Sequence, residues 1–426
     1  MISLLLFGGF TLLVIASVPI AVSLGLSTII AIHITEAVAL QVVAQRMFTA
    51  VDNFALMAVP FFMIAGAVME RGGISKRLIG FANSLVGSLF GGFALVTILA
   101  SMFFAAISGS SPATVAAIGA IMIPAMVKNG YQEEFATATQ ASAGYIGVII
   151  PPSIPMITYG VVTGTSIGAL FMAGFIPGML IGLSLAIVAV VTAKKRNYRG
   201  EVKKASLQEI GAAFKDAIWA LLMPIIILGG IYGGIFTPTE AANIAVVYGL
   251  LIGFFVYKEL NLKDIPKILR GAAISSSLVF MIIATASAFG LILTREQIPT
   301  QVAQFLLQIT ENPILMLMIL NVMLLIVGTF METNAAIIIL APILYPAISA
   351  LGIDPVHFGI IMVVNLAIGM ITPPLGVNLF VAASMRKMQI EKLINANWWY
   401  LFASVVALLI ITYFPMISLW LPSVLN

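Results

Sequence analysis

Residues 146–152 read Ile-Gly-Val-Ile-Ile-Pro-Pro, and residues 368–374 read Ile-Gly-Met-Ile-Thr-Pro-Pro, an offset of 222. Proline has no N–H, so within a helix it deprives the carbonyl four residues earlier of its partner. Pro151 and Pro152 would release the carbonyls of Gly147 and Val148, and Pro373 and Pro374 those of Gly369 and Met370. The residue before a proline is pushed out of the α region, so Ile150 and Thr372 are expected to be unwound, with carbonyls turned sideways. Both heptads lie in apolar surroundings, so these oxygens would be desolvated. Hydroxyls of Ser108, Ser110, Ser111 and Thr372 are available to complete such a cluster. Neutral oxygens at the C-terminal end of a half-helix suit a monovalent hard cation, sodium above all. The helices restarting at Ser153 and Leu375 would offer positive N-termini to an anionic solute. A double proline on its own is equally a packing bend; its duplication beside a duplicated hairpin favours a site.

The elements that must hold these residues lie in a membrane. Of 426 residues, 61% are hydrophobic and 8% charged, more apolar surface than one soluble core buries. Apolar runs fall at about 3–32, 53–69, 166–193, 218–236, 241–257, 272–293 and 397–423, with shorter runs between. About ten helical crossings are expected, the first a retained spanning segment rather than a cleaved signal. Period-two alternation is absent, so the fold class is all-α. There is no cysteine, and His33 and His357 are the only histidines. With no HExxH, GxSxG or phosphate-binding GxxxxGK[ST], no equipment for membrane proteolysis, acyl transfer or ATP hydrolysis is recognisable, and the chain does not read as an enzyme.

Lys194, Lys195, Arg196, Arg199, Lys203 and Lys204 crowd one loop against Glu201. The positive-inside rule makes that loop cytoplasmic, and the same holds for Lys258, Lys263, Lys267 and Arg270. Anionic membrane lipid is the other partner such a loop suits, and no nucleic-acid partner is expected.

Residues 123–152 align without a gap on 345–374, with eight identities in thirty, several of them Gly or Pro. The offset carries upstream, placing SGSS at 108–111 on FMET at 330–333. The chain therefore reads as two copies of one unit, with a boundary near residue 205. Each copy holds two apolar arms around a polar tip. In the first, Ser111 is a plausible N-cap ahead of Pro112; in the second, Asn312-Pro313 starts one arm and Asn334 the other. Arms of about 22 Å are too short to cross about 30 Å of hydrocarbon, so each pair is expected to be a re-entrant hairpin. Thr237-Pro238-Thr239-Glu240 reads as a capping box. Glu332 has two readings that stay open here, a functional carboxyl at membrane depth or a cap on the returning arm.

SGSSPATVAAIG at 108–119, GVIIPPSIPMITYG at 147–160, AGFIPG at 173–178, GGIFTPTEAA at 233–242 and GTFMETNAAIIILAP at 328–342 resemble the large membrane subunit of tripartite ATP-independent periplasmic (TRAP) transporters. The resemblance runs along essentially the whole chain. It implies an all-α integral membrane protein of the ion transporter superfamily. The implied fold is an elevator-type transporter with two inverted repeats, each with a re-entrant helical hairpin and a broken transmembrane helix. The first repeat is expected over 1–205, with its hairpin at about 93–127, its broken helix at about 134–162 and the basic cytoplasmic loop at its end. The second is expected over 206–426, with its hairpin at about 313–350, its broken helix at about 355–384 and a C-terminal transmembrane helix. The implied activity is Na+-driven uptake of a carboxylate, a C4-dicarboxylate or a sialic-acid-like sugar acid, across the bacterial inner membrane.

Carried over by motif, one sodium site falls on Ser108, Gly147, Ile150 and Pro152, and the second on Gly328, Gly369, Met370 and Thr372. The organic-anion substrate falls on Ser110, Ser153, Glu332, Thr333 and Asn378. The implied partners are a small four-helix membrane subunit and a soluble periplasmic substrate-binding protein, both expected as separate chains, with one transport domain per complex. Amphipathic segments 33–50, 75–90, 206–217 and 297–311 would lie along the interface or against the small subunit. The competing readings are a stand-alone sodium/dicarboxylate symporter of the same superfamily and, in a different class, a channel or membrane enzyme.

Overall fold

A computed structural model describes residues 2–35, 38–198, 200 and 204–425. Arg199, Glu201 and Lys203 of the expected basic loop lie outside the described residues. Among the described residues all regular structure is helical, and nine helices are long and apolar enough to cross a membrane.

The first half runs α1 (Ile2–Ile15), α2 (Ile20–Thr35), α3 (Leu40–Val51), a 3₁₀ turn (Phe54–Met57), α4 (Ala58–Arg71), α5 (Ile74–Val86), α6 (Gly92–Ser108), α7 (Ser111–Lys128), α8 (Glu133–Gly144), a 3₁₀ turn (Tyr145–Val148), α9 (Ile154–Thr163) and α10 (Ile167–Lys195). The second runs α11 (Leu207–Tyr232), α12 (Pro238–Leu251) with a π turn (Ile252–Val256), α13 (Ile265–Arg295), α14 (Ile298–Ile309), α15 (Pro313–Phe330), α16 (Thr333–Ala350), α17 (Pro355–Gly369), α18 (Val377–Arg386), α19 (Ile390–Tyr413) and α20 (Met416–Leu425). Shifted by 222, the first residues of α5 to α10 land within two residues of those of α14 to α19. The sequence offset is thus also a structural one.

Three apolar runs are divided differently from the expectation. The run 3–32 is two helices, α1 and α2, because Ser17 takes a positive φ of 62° and Pro19 follows. Residues 206–217 are not a separate segment; a Ser206/Glu209 capping box starts one helix that continues to Tyr232. The last run breaks between Tyr413 and Met416, at Pro415. The expected capping box at Thr237 and Glu240 is present.

Packing sorts the helices into two groups. α1 to α4 and α11 to α13 pack on one another at the periphery, while α6 to α10 and α15 to α19 form the inner group. α5 joins α11 to α6, and α14 joins α13 to α16. Within the inner group the halves exchange partners: α7 packs on α18 and α16 on α9, while α8 packs on α19 and α17 on α10. The core runs through the broken helices, since α8 is buried from Phe135 to Gly144 and α17 from His357 to Gly369. Ala, Thr, Ser and Gly dominate α8, which lets neighbouring backbones come close on all sides.

α19 acts as a strut along α8. Ser142 Oγ donates to Asn397 Oδ1 at 2.6 Å, Thr139 Oγ1 and Tyr400 Oη are 2.8 Å apart, and Tyr145 Oη donates to Ser404 Oγ at 2.7 Å. Asn397 Nδ2 also donates to the Ile371 carbonyl at 2.8 Å, tying the strut to the second break. Higher on the same helix, Thr412 Oγ1 accepts from Asn321 Nδ2 of α15, whose Oδ1 accepts from Asn365 Nδ2 of α17.

Two glycines one turn apart on α10 make room for the first break. A Cβ on Gly174 would stand 2.7 Å from the Ile149 carbonyl oxygen, and one on Gly178 would stand 2.4 Å from the Ile150 side chain. Gly174→Ala is expected to destabilise the fold by about 1–3 kcal/mol through overpacking. Gly8→Ala, where nothing lies within 4 Å, is expected to leave stability unchanged or slightly raised. Thermal unfolding midpoints of the two variants in the same detergent check the contrast; equal midpoints refute it.

Candidate ion and solute site

α6 ends at Ser108, and Gly109 turns the chain with φ 59°. Ser110, not the expected Ser111, occupies the cap position of α7, its carbonyl accepting from the Thr114 N–H at 3.1 Å. Ser111 is freed for another task, and its Oγ donates to Asn378 Oδ1 at 2.9 Å. Ser108 Oγ lies 3.1 Å from Thr114 Oγ1, which donates to the Ser110 carbonyl at 2.8 Å. This knot sits on the backbone of the first broken helix. A Cβ on Gly147 would stand 2.5 Å from Thr114 Oγ1 and 2.7 Å from the Ser110 oxygen, and one on Gly109 would stand 2.8 Å from the Pro152 oxygen.

The break itself follows the proline argument in part. The Ile146 carbonyl takes the Ile150 N–H, and Pro151 has none, so the Gly147 carbonyl has no helical donor. The Val148 carbonyl, expected to be free, instead accepts from Ser153 Oγ at 2.6 Å. Ser153 Oγ in turn accepts from the Met156 N–H, capping α9. The structure brings Ser108, Gly147 and Pro152 together, while the Ile150 side chain packs on α10. Ser108 Oγ, Thr114 Oγ1 and the Gly147 carbonyl, which lacks a helical donor, are hard neutral oxygens of the kind that fits a sodium ion, while the Ser110 carbonyl is spent on Thr114.

At the second break Gly328 and Gly369 touch backbone to backbone. A Cβ on Gly369 would stand 2.3 Å from the Gly328 carbonyl carbon. The expected free carbonyls are not free here. The Gly369 oxygen accepts from the Thr372 N–H at 3.0 Å, and the Met370 oxygen from the Asn378 N–H at 2.9 Å, because the chain tightens before α18 and its N–H groups fold back. Each keeps a second lone pair for an ion. Thr372 Oγ1 turns back to the Ile368 carbonyl at 2.8 Å. The Pro151–Pro152 and Pro373–Pro374 peptide bonds are both cis. The first break is buried throughout, whereas Pro374, Leu375 and Val377 of the second are exposed.

The expected substrate residues fall around these breaks. Glu332 caps α16: its Oε2 accepts from the Ala335 N–H at 3.1 Å and its Oε1 from Asn334 Nδ2 at 2.7 Å. Asn334 Oδ1 accepts from Thr158 Oγ1 of α9 at 3.0 Å. Of the two open readings of Glu332, the cap is present, and through Asn334 it reaches across to the other half. Asn378 makes the reciprocal link, accepting from Ser111 and donating to the Ala141 carbonyl at 3.1 Å. The Thr333 hydroxyl is fully buried without a protein partner, the one such group among the five. Ser110 is half-buried.

Sequence reasoning missed Thr114, Thr158, Asn334 and Asn397. Thr114 follows Ser110 by one helical turn, and Asn397 stands at the head of the apolar stretch of α19. Both were signals of the kind that marks polar side chains at membrane depth.

The family model for the tripartite ATP-independent periplasmic transporter DctM component matches residues 7–417. An isethionate TRAP transporter permease protein, DctMQ, of Oleidesulfovibrio alaskensis is 50% identical over 97% of this chain, which spans 65% of that protein's length. A C4-dicarboxylate TRAP transporter large permease protein, DctM, of Pseudomonas aeruginosa is 45% identical over 94% of each chain. A sialic acid TRAP transporter large permease protein, SiaM, of Vibrio cholerae is 39% identical over 97% of each. Among solved structures, the YdaH transporter of Alcanivorax borkumensis shares the fold with a TM-score of 0.65 at 17% identity, covering 90% of this chain and 89% of that one.

Asn378→Leu is expected to leave the Ser111 hydroxyl and the Ala141 carbonyl unpartnered and to cost about 1–3 kcal/mol. Asn334→Leu should cost a similar amount at the other crossing. Thermal unfolding of both variants and of the double variant tests this. A single variant as stable as the parent protein would show that the crossing carries no stability.

Proposed function

The chain belongs to the DctM family of TRAP transporter large permease subunits, and from that premise we propose that it couples sodium entry to uptake of a small organic anion by an elevator motion. The knot of Ser108 Oγ, Thr114 Oγ1 and the Ser110 carbonyl packed against Gly147, whose own carbonyl lacks a helical donor, carries the reading. It is a concentration of uncharged oxygens at the end of a half-helix, with no cation of the protein among them. A sodium ion there would supply the positive charge that an incoming anion needs.

Ser108, Gly147, Ile150 and Pro152 hold the first ion, and Gly328, Gly369, Met370 and Thr372 the second. Between them the N-termini of α7, α9, α16 and α18 present backbone N–H groups to the solute, aided by Ser110, Ser153, Thr333 and Asn378. Thr333 is favoured as a direct contact because its buried hydroxyl has no other partner. Glu332 holds the tip in shape. C4-dicarboxylates, sialic acid and isethionate are the solutes that the relatives' names point to, and all are oxyanions.

The helical correspondence at 222 residues and the exchanged packing support two inverted repeats over 1–205 and 206–426. The inner group would be the moving body, the peripheral group the scaffold, and α5 and α14 the arms between them. Delivery falls to a periplasmic binding protein, and the scaffold would be completed by a small membrane subunit. A family named for three components does not favour a stand-alone symporter.

Uptake of labelled isethionate, succinate and sialic acid into proteoliposomes holding the three components tests the coupling. Uptake should need an inward sodium gradient and fail with potassium alone. Ser108→Ala and Thr114→Val should each raise the sodium concentration for half-maximal rate by about tenfold, the cost of one lost ligand oxygen. Uptake indifferent to sodium would return the double prolines to being bends.

A further inference from the structure

A cavity of about 490 Å³ opens between the two helix groups. One wall belongs to the periphery: Arg46 and Thr49 of α3, Asn53 just beyond it, and Ser287 and Thr294 of α13. The facing wall, from α9 and α16, is apolar, with Val161, Ile338 and Pro342. Arg46 and Thr49 are one helical turn apart, and Ser287 and Thr294 two turns apart, so each pair presents one face of its helix.

Among the described residues Arg46 is the only charged side chain lining the cavity, and it is exposed. Among the described residues it makes no hydrogen bond or ion pair, unlike Arg77, which is held by Glu259 at 2.7 Å and lies over the Tyr257 ring. Asn53 spends its Oδ1 on the Ala55 N–H, leaving its Nδ2 hydrogens uncommitted. Thr49 and Thr294 donate their hydroxyls to the Arg46 and Gly290 carbonyls of their own helices, so the donors facing the cavity are Arg46, the Asn53 amide and Ser287, a set with net positive charge that complements an oxyanion. Guanidinium forks pair with carboxylate, sulfonate or phosphate oxygens, and a nearby amide or hydroxyl can take a further oxygen.

Sidedness follows from the basic loop. Lys194 and Lys195 end α10 on the cytoplasmic side, so Ile167, at its other end, and the preceding α9 terminus lie on the external side. Val161 belongs to that external end. Along α9 it stands about 12 Å from Ser153, at 1.5 Å per residue. The cavity thus lies on the external approach to the breaks, on the seam that a moving inner group would open.

We propose that Arg46, with Asn53 and Ser287, forms a capture site for the oxyanion group of the solute in this external vestibule. The solute is held on the scaffold wall before it reaches the hairpin tips. This rests on the transport reading above. The same chemistry would take the phosphate of a lipid headgroup, so the test separates the two sources.

The three-component system is reconstituted with labelled isethionate, succinate and sialic acid, in phosphatidylcholine vesicles with and without phosphatidylglycerol. Arg46→Gln should raise KM by about three- to tenfold, the effect of losing one partly solvated charge-assisted contact, with kcat unchanged. Arg46→Lys should restore part of the loss. The initial rate at low solute should fall with ionic strength in the parent protein and be flat in Arg46→Gln. An unchanged KM in Arg46→Gln overturns the proposal. So does a parent KM that rises with phosphatidylglycerol while that of the variant does not, since that assigns the site to lipid. Uptake that ignores sodium yet keeps its dependence on Arg46 sinks the coupling and leaves the vestibule standing. Sodium-dependent uptake indifferent to Arg46 does the reverse. As a readout independent of transport, isethionate in potassium buffer should raise the thermal unfolding midpoint of the parent protein and not of Arg46→Gln; no shift in the parent overturns the capture site.

Discussion

A helix that stops inside hydrocarbon must give its last carbonyls and first N–H groups to something other than water. The hairpin tips and both breaks of this chain face that demand, and the arrangement of the inner group answers it. Ser153 closes on Val148, Asn378 on Met370, Thr372 on Gly369 and Glu332 on Ala335. What the protein leaves open is as specific as what it closes. The Gly147 carbonyl keeps no helical donor, and beside it the serine and threonine oxygens of the hairpin tip are packed against bare glycine backbone. The cation site proposed above would then be a remainder, the part of the backbone demand that no side chain among the described residues meets.

That demand also explains where the glycines stand. Gly147, Gly328 and Gly369 lie where hairpin backbone meets broken-helix backbone, and Gly174 and Gly178 lie where the unwound segment leans on α10. At each position a larger side chain would push on the backbone or side chains that shape the break. α19 then holds both breaks in register through Asn397, which bonds Ser142 of one half and the Ile371 carbonyl of the other.

Much of this was legible in the sequence. The offset of 222 residues, the polar tips and the double prolines located both hairpins and both breaks within a few residues, because gaps in an apolar pattern are hard to mistake. Pro19 and Pro415 were weaker signals, each inside a long apolar run, and the helices they end were read as continuous. The closing bonds were not legible. Proline predicts which carbonyl loses its donor, but whether Ser153 or the Asn378 N–H replaces it depends on how the chain returns, a three-dimensional matter. The links from Asn378 to Ser111 and from Asn334 to Thr158 were equally hidden, because each joins residues far apart whose types alone give no pairing.

The Ser111–Asn378 hydrogen bond spans 267 residues. During synthesis the first hairpin therefore precedes the helix that completes its tip, and for that interval the Ser111 hydroxyl lacks its partner, while Ser108 and Thr114 already have theirs within the hairpin. Contacts of such separation are made late and slowly. The first half is an unfinished object whose polar tip needs temporary company, from water, lipid headgroups or the insertion machinery, until the second half arrives. Duplication of the unit gave this protein its internal likeness, and the exchange of partners between the copies took away the independence of either one.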